Sequence, residues 1–288
     1  MFRIGIIGSE NSHAPAFMDI FRSDPAYADL KVVGVGGVDA ESNRRCFEEF
    51  QLEFIAEKPE DMLGKVDAVM VTARDGKFHA EFSRPFLEEG IPMFIDKPFT
   101  TNPAEAVALA KLAKAKNVPI SGGSSLKNCY DVLMLQNEVR KAPEKVHGGS
   151  VVAPLNMENP YSGFWFYSSH LAEISMTVFG YNPLEICAME CSGNVTAMVR
   201  YENFVVENRF MVGCYQYFGQ VSTKDRIYSR DIDEALCYRH ECDEFAEMLR
   251  LGHMRHSYEQ LVAPVFYLDA VKQAYETGKT VKVQKFGI

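Results

Sequence analysis

Apolar positions divide the chain into two parts with different patterns. In the first part, short runs that are apolar throughout alternate with stretches of helical periodicity. The predicted strands are 2–7, 30–38, 66–72, 92–95 and 118–121, and the predicted helices are 12–21, 41–50, 79–88 and 103–116. Strands that are apolar on both faces and alternate with helices form parallel sheets covered on both sides. Residues 1–122 are therefore predicted to form a doubly wound α/β domain.

In the second part the predicted strands follow one another, and Gly122 and Gly123 mark the change of pattern. The predicted strands are 146–153, 184–191, 195–201, 204–212, 214–221 and 280–284, and the predicted helices are 128–140, 170–179, 243–251 and 264–275. A run of strands with few helices indicates a separate α+β domain, residues 123–288, with a largely antiparallel open sheet. The pattern leaves open whether the final helix packs back on the first domain.

The composition is that of an ordinary globular protein. Of the 288 residues, 47% are apolar and 24% are charged, and no apolar run approaches the roughly 18 residues of a membrane helix. The net charge is −9 and the sequence has no basic cluster, whereas a duplex-binding protein needs a basic face. We therefore expect neither a membrane nor a nucleic acid as a partner.

Cysteine usage and the N-terminal stretch indicate a reducing compartment. The seven cysteines are odd in number and include no C-x-x-C pair, which argues against a disulfide framework and a zinc site. His253 and His256 are three residues apart, but no further ligand clusters with them, so no metal is expected. The apolar stretch 2–7 is too short for a signal peptide, and a cytoplasmic location is expected.

The loop after the first predicted strand has the position of a dinucleotide-binding fingerprint, G-x-G-x-x-G, but only part of its sequence. The segment reads Gly8-Ser9-Glu10-Asn11-Ser12-His13. Gly8 can make the tight turn, whereas Glu10 and His13 replace the other two glycines. The start of the following helix can still bind an anion, and the loop has hydrogen-bonding side chains at Ser9, Asn11 and Ser12. The alternative is a plain strand-to-helix turn capped by Asn11 or Ser12.

Asp39 follows the second predicted strand, where an acidic residue binds the ribose hydroxyls of NAD in such domains. The alternative role for Asp39 is to cap the next helix, and the two roles can coexist. Arg44 and Arg45 could meet the 2′-phosphate of NADP or form a solvated helix face. Asp39 favours NAD over NADP as the cofactor.

Several segments occur together in the order of one known family. They are residues 4–13, Asp39, Val66-Asp67-Ala68-Val69 leading to Thr72, His79-Ala80-Glu81, Ile95-Asp96-Lys97-Pro98, the helix 103–116 and residues 118–123. The chain resembles the glucose-fructose oxidoreductase and inositol dehydrogenase family (Gfo/Idh/MocA), most strongly before residue 125. The sharpest match is Asp96-Lys97-Pro98, which is similar to the family's Glu-Lys-Pro signature, and Ser169-His170 with Glu173 is a second match.

The resemblance implies a Rossmann-like dinucleotide-binding domain and an NAD(P)-dependent dehydrogenase acting on a sugar or a cyclic polyol. It implies that Lys97 orients the substrate hydroxyl and aids proton transfer, and that His170 is the general acid/base. The residues expected to bind NAD are Gly8, Ser9, Asn11, Ser12, His13, Asp39, Thr72, Ala73, Arg74, His79, Asp96 and Lys97. Those expected to bind the substrate are Lys97, Lys127, Tyr161, Trp165, Tyr167 and His170.

The chain also departs from the family pattern. Many members carry an aspartate four residues before the histidine, where this chain has Phe166, and Leu126-Lys127 replaces a basic pair. The family's Thr-Pro-Asn reads Thr72-Ala73-Arg74-Asp75. The aromatic residues before His170 can be core or can stack on a sugar.

The sequence is compatible with three functions. The first is the NAD(P)-dependent dehydrogenase, and the second is an NAD-using lyase or glycosidase on the same scaffold. The third is a catalytically inactive sugar- or nucleotide-binding regulatory protein, which Glu10 and His13 favour. Lys97 and His170 together favour the first two. A homodimer or homotetramer is expected, because the open face of the second-domain sheet in this family needs a cover.

Overall fold

A computed structural model describes residues 1–288 as two compact units. The first unit comprises residues 1–123, 238–261 and 288, and the second comprises residues 124–237 and 262–287. No helix of the chain combines the length and apolar character needed to cross a membrane. All seven cysteines are free thiols.

Helices and strands alternate in the first 123 residues. They are β1 (Phe2–Ile7), α1 (His13–Ser23), β2 (Leu30–Gly36), α2 (Ala40–Phe50), β3 (Phe54–Ala56), β4 (Ala68–Val71), α3 (His79–Glu88), β5 (Met93–Asp96), α4 (Pro103–Lys116) and β6 (Ile120–Gly123). The later elements are α5 (Tyr130–Lys141), β7 (Val146–Leu155), α6 (Phe164–Phe179), β8 (Glu185–Cys191), β9 (Asn194–Arg200), β10 (Val205–Val212), β11 (Phe218–Thr223), β12 (Ile227–Asp231), α7 (Cys237–Leu251), α8 (Tyr258–Thr277) and β13 (Val281–Lys282).

The first unit contains a six-stranded parallel sheet in the order β3-β2-β1-β4-β5-β6. The direction of winding reverses between β1 and β4, and a crevice opens at the carboxyl ends of the strands at such a switch point. The predicted Rossmann-like doubly wound domain is therefore confirmed. Its carboxyl edge carries the loops that follow β1, β2, β4 and β5.

Aromatic side chains on one side of this sheet join α1 and α7 to the strands. Phe17 of α1 meets Phe94 of β5 edge to face, with ring centroids 5.5 Å apart. Phe94 in turn meets Phe245 of α7 at 6.4 Å, and all three side chains are fully buried. Such contacts add to the burial of apolar area. They hold α1, whose first residue lies at the crevice, firmly against the sheet.

The second unit contains a seven-stranded mixed sheet in the order β12-β11-β7-β10-β9-β8-β13. Only the pair β7 and β10 is parallel, and the other pairs are antiparallel. This confirms the predicted second domain with a largely antiparallel sheet. The helix α6 packs on one face, where its residue Ser175 accepts a hydrogen bond from the buried Asn208 of β10 at 3.2 Å.

Some element bounds differ from the sequence prediction for identifiable reasons. The helix α6 begins at Phe164 rather than at residue 170, because an aromatic run with low helix propensity forms its first turn. The helix α8 begins at Tyr258 and contains Pro264, which was predicted to be its first residue. The edge strands β3 and β12 were not predicted. Each has at most five residues, too few to show a clear alternation.

Candidate active site

Asp96 is the last residue of β5, and its buried carboxylate links two loops of the first unit. Its Oδ2 atom lies 2.7 Å from Nδ1 of His13 and accepts a hydrogen bond from the amide of Asn11 at 3.1 Å. Its Oδ1 atom accepts from the backbone N–H of Lys97 at 2.6 Å. One carboxylate therefore connects the fingerprint loop to the Asp-Lys-Pro segment.

The environment of Asp96 keeps this carboxylate ionised. Complete burial raises its pKa, but the charge of His13 and the hydrogen bond from that ring outweigh burial, so that the pKa lies below its usual value. The His13 ring also packs on Tyr238, with centroids 4.7 Å apart. His13 thus binds an internal carboxylate at the fingerprint position where a third glycine would allow close helix packing.

Lys97 follows Asp96 at the carboxyl end of β5, and its side chain is only 4% exposed. Burial lowers the pKa of Lys97, while the negative charges of Asp96 and Glu241 partly oppose this shift. A buried ammonium gives up its proton more readily than one in water. Lys97 is therefore better suited than an exposed lysine to exchange a proton with a bound hydroxyl.

Gly8 brings the ends of β1 and β4 into direct contact. Its φ angle is +110°, and a Cβ atom there would lie 2.1 Å from the backbone nitrogen of Ala73. The hydroxyl of Thr72 donates to the carbonyl of Gly8 at 3.1 Å. Only glycine fits this turn, as expected for the first glycine of a dinucleotide fingerprint.

Asp39 has the role of helix cap that the sequence left open. Its Oδ1 atom accepts from the backbone N–H of Ser42 at 2.7 Å, and this hydrogen bond is the main reason why the pKa of Asp39 is lowered. The side chain is exposed near the end of β2. Capping therefore leaves an ionised carboxylate at the surface where the ribose of NAD would lie.

Other predicted cofactor residues have internal partners. The Ser9 hydroxyl donates to the amide oxygen of Asn43 at 2.6 Å and is buried. The buried His79 ring lies 2.7 Å from the carbonyl of Pro98 and 2.8 Å from that of Ala73. His79 therefore ties the loop after β4 to the loop after β5. Ser12 caps α1 without a side-chain hydrogen bond.

The crevice fits a dinucleotide at two positions and conflicts with it at one. Gly8 supplies the tight turn, and Asp39 supplies an acceptor for ribose hydroxyls. Glu10, however, places a carboxylate by the switch point, where its Oε1 atom accepts from the backbone N–H of Arg74 at 3.0 Å. Because like charges repel, this carboxylate at the switch point is unfavourable for a pyrophosphate.

In the second unit, His170 belongs to a buried polar network. Its Nδ1 atom lies 2.7 Å from the hydroxyl of Ser124, and the backbone N–H of Ser124 donates to Oε1 of Glu173 at 2.7 Å. Oε2 of Glu173 forms an ion pair with Lys127 at 3.2 Å. All four residues are buried. Lys127, which was predicted to bind substrate, is therefore engaged with Glu173.

The side chain that contacts the His170 ring is the hydroxyl of Ser124, not a carboxylate at position 166. Phe166 lies one turn before His170 on α6 and offers no carboxylate, so that the ring is oriented by a hydroxyl from outside the helix. A motif of fixed spacing could not reveal this partner, because Ser124 is 46 residues away in the chain.

The aromatic residues before His170 pack mainly on one another. Trp165 is buried and meets Phe164 edge to face at 6.3 Å. Tyr161 lies 6.0 Å from the ring of Phe166, and Tyr167 lies 5.8 Å from Tyr215. Trp165 thus belongs to the core, while Tyr167 extends toward the exposed Tyr215.

A cavity of about 380 Å³ lies beside this aromatic group and was not predicted from the sequence. Its lining consists of Tyr215, Gln216, Tyr217, Asp231, Ile232, Asp233 and Glu234. The ring of Tyr217 meets the His170 ring edge to face at 5.7 Å. Hydroxyl, amide and carboxylate groups therefore line a space that adjoins His170 through one aromatic ring.

Sequence comparison identifies the first unit. Residues 2–124 match the model of an oxidoreductase family with an NAD-binding Rossmann fold. These residues are thus similar to the Gfo/Idh/MocA family. The resemblance drawn from the sequence is confirmed, and with it an NAD-binding type of domain. No curated protein matches the chain by sequence.

Solved structures share the fold over nearly the whole chain. A probable dehydrogenase from Thermotoga maritima is 17% identical, with a TM-score of 0.83 and coverage of 98% of this chain and 99% of that one. A myo-inositol dehydrogenase from Corynebacterium glutamicum is 16% identical, with a TM-score of 0.84 and coverage of 99% and 100%. A scyllo-inositol dehydrogenase from Lactobacillus casei, solved with NAD(H) and scyllo-inositol, is 12% identical, with a TM-score of 0.85 and coverage of 98% and 99%. At these identities the likeness shows the fold.

The substitution Gly8→Ala should destabilise the first unit, because the added Cβ would collide with the backbone of the neighbouring loop. We expect a loss of at least about 2 kcal/mol, since the new Cβ would meet the backbone of Ala73. Gly64→Ala is the matched control, because Gly64 also has a positive φ but has open space around its Cβ position. Urea unfolding measures the free energy of unfolding of both variants. Equal losses in the two variants would show that the close approach of Gly8 to the Ala73 backbone is unimportant.

Stability should also depend on the ionisation of Asp96. Because its pKa is lower in the folded state than the usual 3.8, the ionised group stabilises the fold above that pH, and this stabilisation is lost as the pH falls through the folded pKa. Wild type should therefore exceed Asp96→Asn in stability at neutral pH, and the difference should shrink in acid. Thermal unfolding of both proteins at a series of pH values measures this difference in stability. A difference that stays constant with pH would show that ionised Asp96 does not stabilise the fold.

Proposed function

We propose that the protein is an NAD-dependent dehydrogenase that transfers a hydride between the nicotinamide and a hydroxyl of a sugar or cyclic polyol. Lys97 carries this proposal, because it is a buried lysine with a lowered pKa at the carboxyl edge of an NAD-binding type of sheet. Ligands of doubly wound sheets bind at that edge.

Lys97 and His170 have different parts in removing the proton of the substrate hydroxyl. Oxidation of an alcohol requires a base for the O–H proton, and the nicotinamide, when bound, accepts the hydride. Lys97 orients the hydroxyl and lowers the cost of its deprotonation, while His170 accepts the proton. Ser124 fixes the direction of the His170 ring from its Nδ1 side. Residues 1–122 are proposed to hold the cofactor and residues 123–288 the substrate.

Asp39 supports NAD rather than NADP as the cofactor. Its carboxylate is ionised and exposed at the end of β2. The ribose hydroxyls of NAD can donate to such a group, whereas the 2′-phosphate of NADP would be repelled by it.

The polar cavity supports a polyhydroxylated substrate. Its carboxylates and amide can accept from several hydroxyls, and its two tyrosines can contact an apolar ring face. The structurally similar enzyme from Lactobacillus casei was solved with scyllo-inositol, which is a substrate of this chemical class.

A catalytically inactive binding protein is the second candidate function. Glu10 favours it, because its carboxylate meets the backbone where a fingerprint glycine would admit the pyrophosphate. An NAD-using lyase or glycosidase is compatible with Phe166 in place of an aspartate.

We also propose that the protein is a homodimer or homotetramer assembled through the second unit. One face of its sheet exposes Met189 at 72% and Met198 at 42%. A shallow apolar depression on the same face is lined by Cys187, Ala188, Met189, Cys191, Asn194, Thr196 and Met198. A second copy covering this face would remove the methionine side chains from water.

Substitution of Lys97 should abolish turnover and preserve the fold. Wild type is assayed with NAD and a panel of inositols and hexoses, and the formation of NADH is followed by absorbance. We expect Lys97→Met to lose at least about 100-fold in rate, as removal of a proton-transfer group does. Lys111→Met, an exposed lysine of α4, is the control and should keep full activity.

Either of two results of this assay would contradict the proposal. Absence of hydride transfer from every member of the panel by wild type would remove the sugar or polyol dehydrogenase. Full activity of Lys97→Met would remove Lys97 from the mechanism.

The oligomer is tested by light scattering on the purified protein. We expect a mass of two or four chains for wild type and of one chain for Met189→Asp, because burying the new carboxylate in an apolar interface is costly. A monomeric wild type, or an unchanged oligomer in the variant, would contradict an interface on this face.

A further inference from the structure

The side chain of Glu10 spans the crevice of the first unit from one strand to another. Its Oε1 atom accepts from the N–H of Arg74, just after β4. Its Oε2 atom lies on the opposite side, 3.4 Å from where a Cβ on Gly37 would be, just after β2. Because β1 lies between β2 and β4 in the sheet, the carboxylate covers the carboxyl end of β1 at the switch point.

The Oε2 atom is the unusual part of this arrangement. It is buried and has no hydrogen-bond partner, although a buried carboxylate oxygen normally has one. The whole carboxylate is thus held by one backbone hydrogen bond. Turning the side chain into water would break that single bond and would rehydrate both oxygens, so the inward position is only weakly favoured.

We propose that Glu10 determines the affinity for the dinucleotide, because its carboxylate occupies the switch-point crevice and must leave before a pyrophosphate enters. Only those molecules in which Glu10 is turned outward then bind the dinucleotide. The apparent affinity is therefore reduced in proportion to the fraction of such molecules. The residual negative charge at the crevice adds repulsion. This inference rests on the proposed function only in taking NAD as the ligand.

Neutral replacements of Glu10 test the proposal by a binding measurement. Wild type, Glu10→Gln and Glu10→Ala are titrated with NAD by calorimetry, and a thermal melt without ligand shows that each variant is folded. Glu10→Gln removes the charge and keeps the shape, whereas Glu10→Ala also empties the crevice. The control is Glu88→Gln, whose exposed residue lies at the end of α3, at the opposite edge of the sheet.

We expect NAD to bind Glu10→Gln and Glu10→Ala about tenfold or more tightly than wild type, as removal of a close like charge requires. Glu88→Gln should bind as wild type does. Unchanged or weaker binding to both Glu10 variants would overturn the inference, and weaker binding would show that Glu10 accepts a hydrogen bond from the ligand.

The same titration separates this inference from the proposed function. Binding of NAD to the Glu10 variants but not to wild type would support the inference and count against an NAD-dependent activity of the natural protein. Equal binding to all four proteins would overturn the inference and leave the function standing. No binding to any of them would overturn both.

Discussion

The buried carboxylate of Asp96 is the interaction on which the arrangement of the first unit's crevice depends. It terminates β5, pairs with His13 at the start of α1, accepts from Asn11, and fixes the backbone of Lys97. A buried charge with so many partners has one stable arrangement, because breaking any contact leaves an unpaired polar group. The loop after β1 and the segment that carries Lys97 are therefore positioned together.

Polar side chains occupy two of the three glycine positions of the fingerprint in this chain. His13 stands at one glycine position and places its ring nitrogen beside the Asp96 carboxylate, while Glu10 stands at another and places a carboxylate in the crevice. The strand-to-helix turn keeps only Gly8, because the backbone of Ala73 leaves no space for a side chain there. Internal contacts of His13 and Glu10 thus occupy the space that glycines leave open in the fingerprint.

Local signals in the sequence predicted the first sheet well and parts of the site poorly. The helix α4 was predicted at its observed bounds, since Asn102 caps it, Pro103 starts it and Asn117 ends it in a left-handed conformation. The start of α6 was missed because Gly163 provides no side-chain cap. The contact between Ser124 and His170 joins distant parts of the chain, and no local pattern encodes such a pair. The roles of Lys97 and His170 were implied by the family resemblance and stay proposals.

The proposed function requires that the carboxyl edge of the first unit's sheet binds a nicotinamide dinucleotide. The most direct measurement is a calorimetric titration of the wild-type protein with NAD and, separately, with NADP. We expect saturable binding of one NAD per chain and weaker binding of NADP, because Asp39 repels the added phosphate. Absence of binding by both dinucleotides, or a preference for NADP, would contradict it.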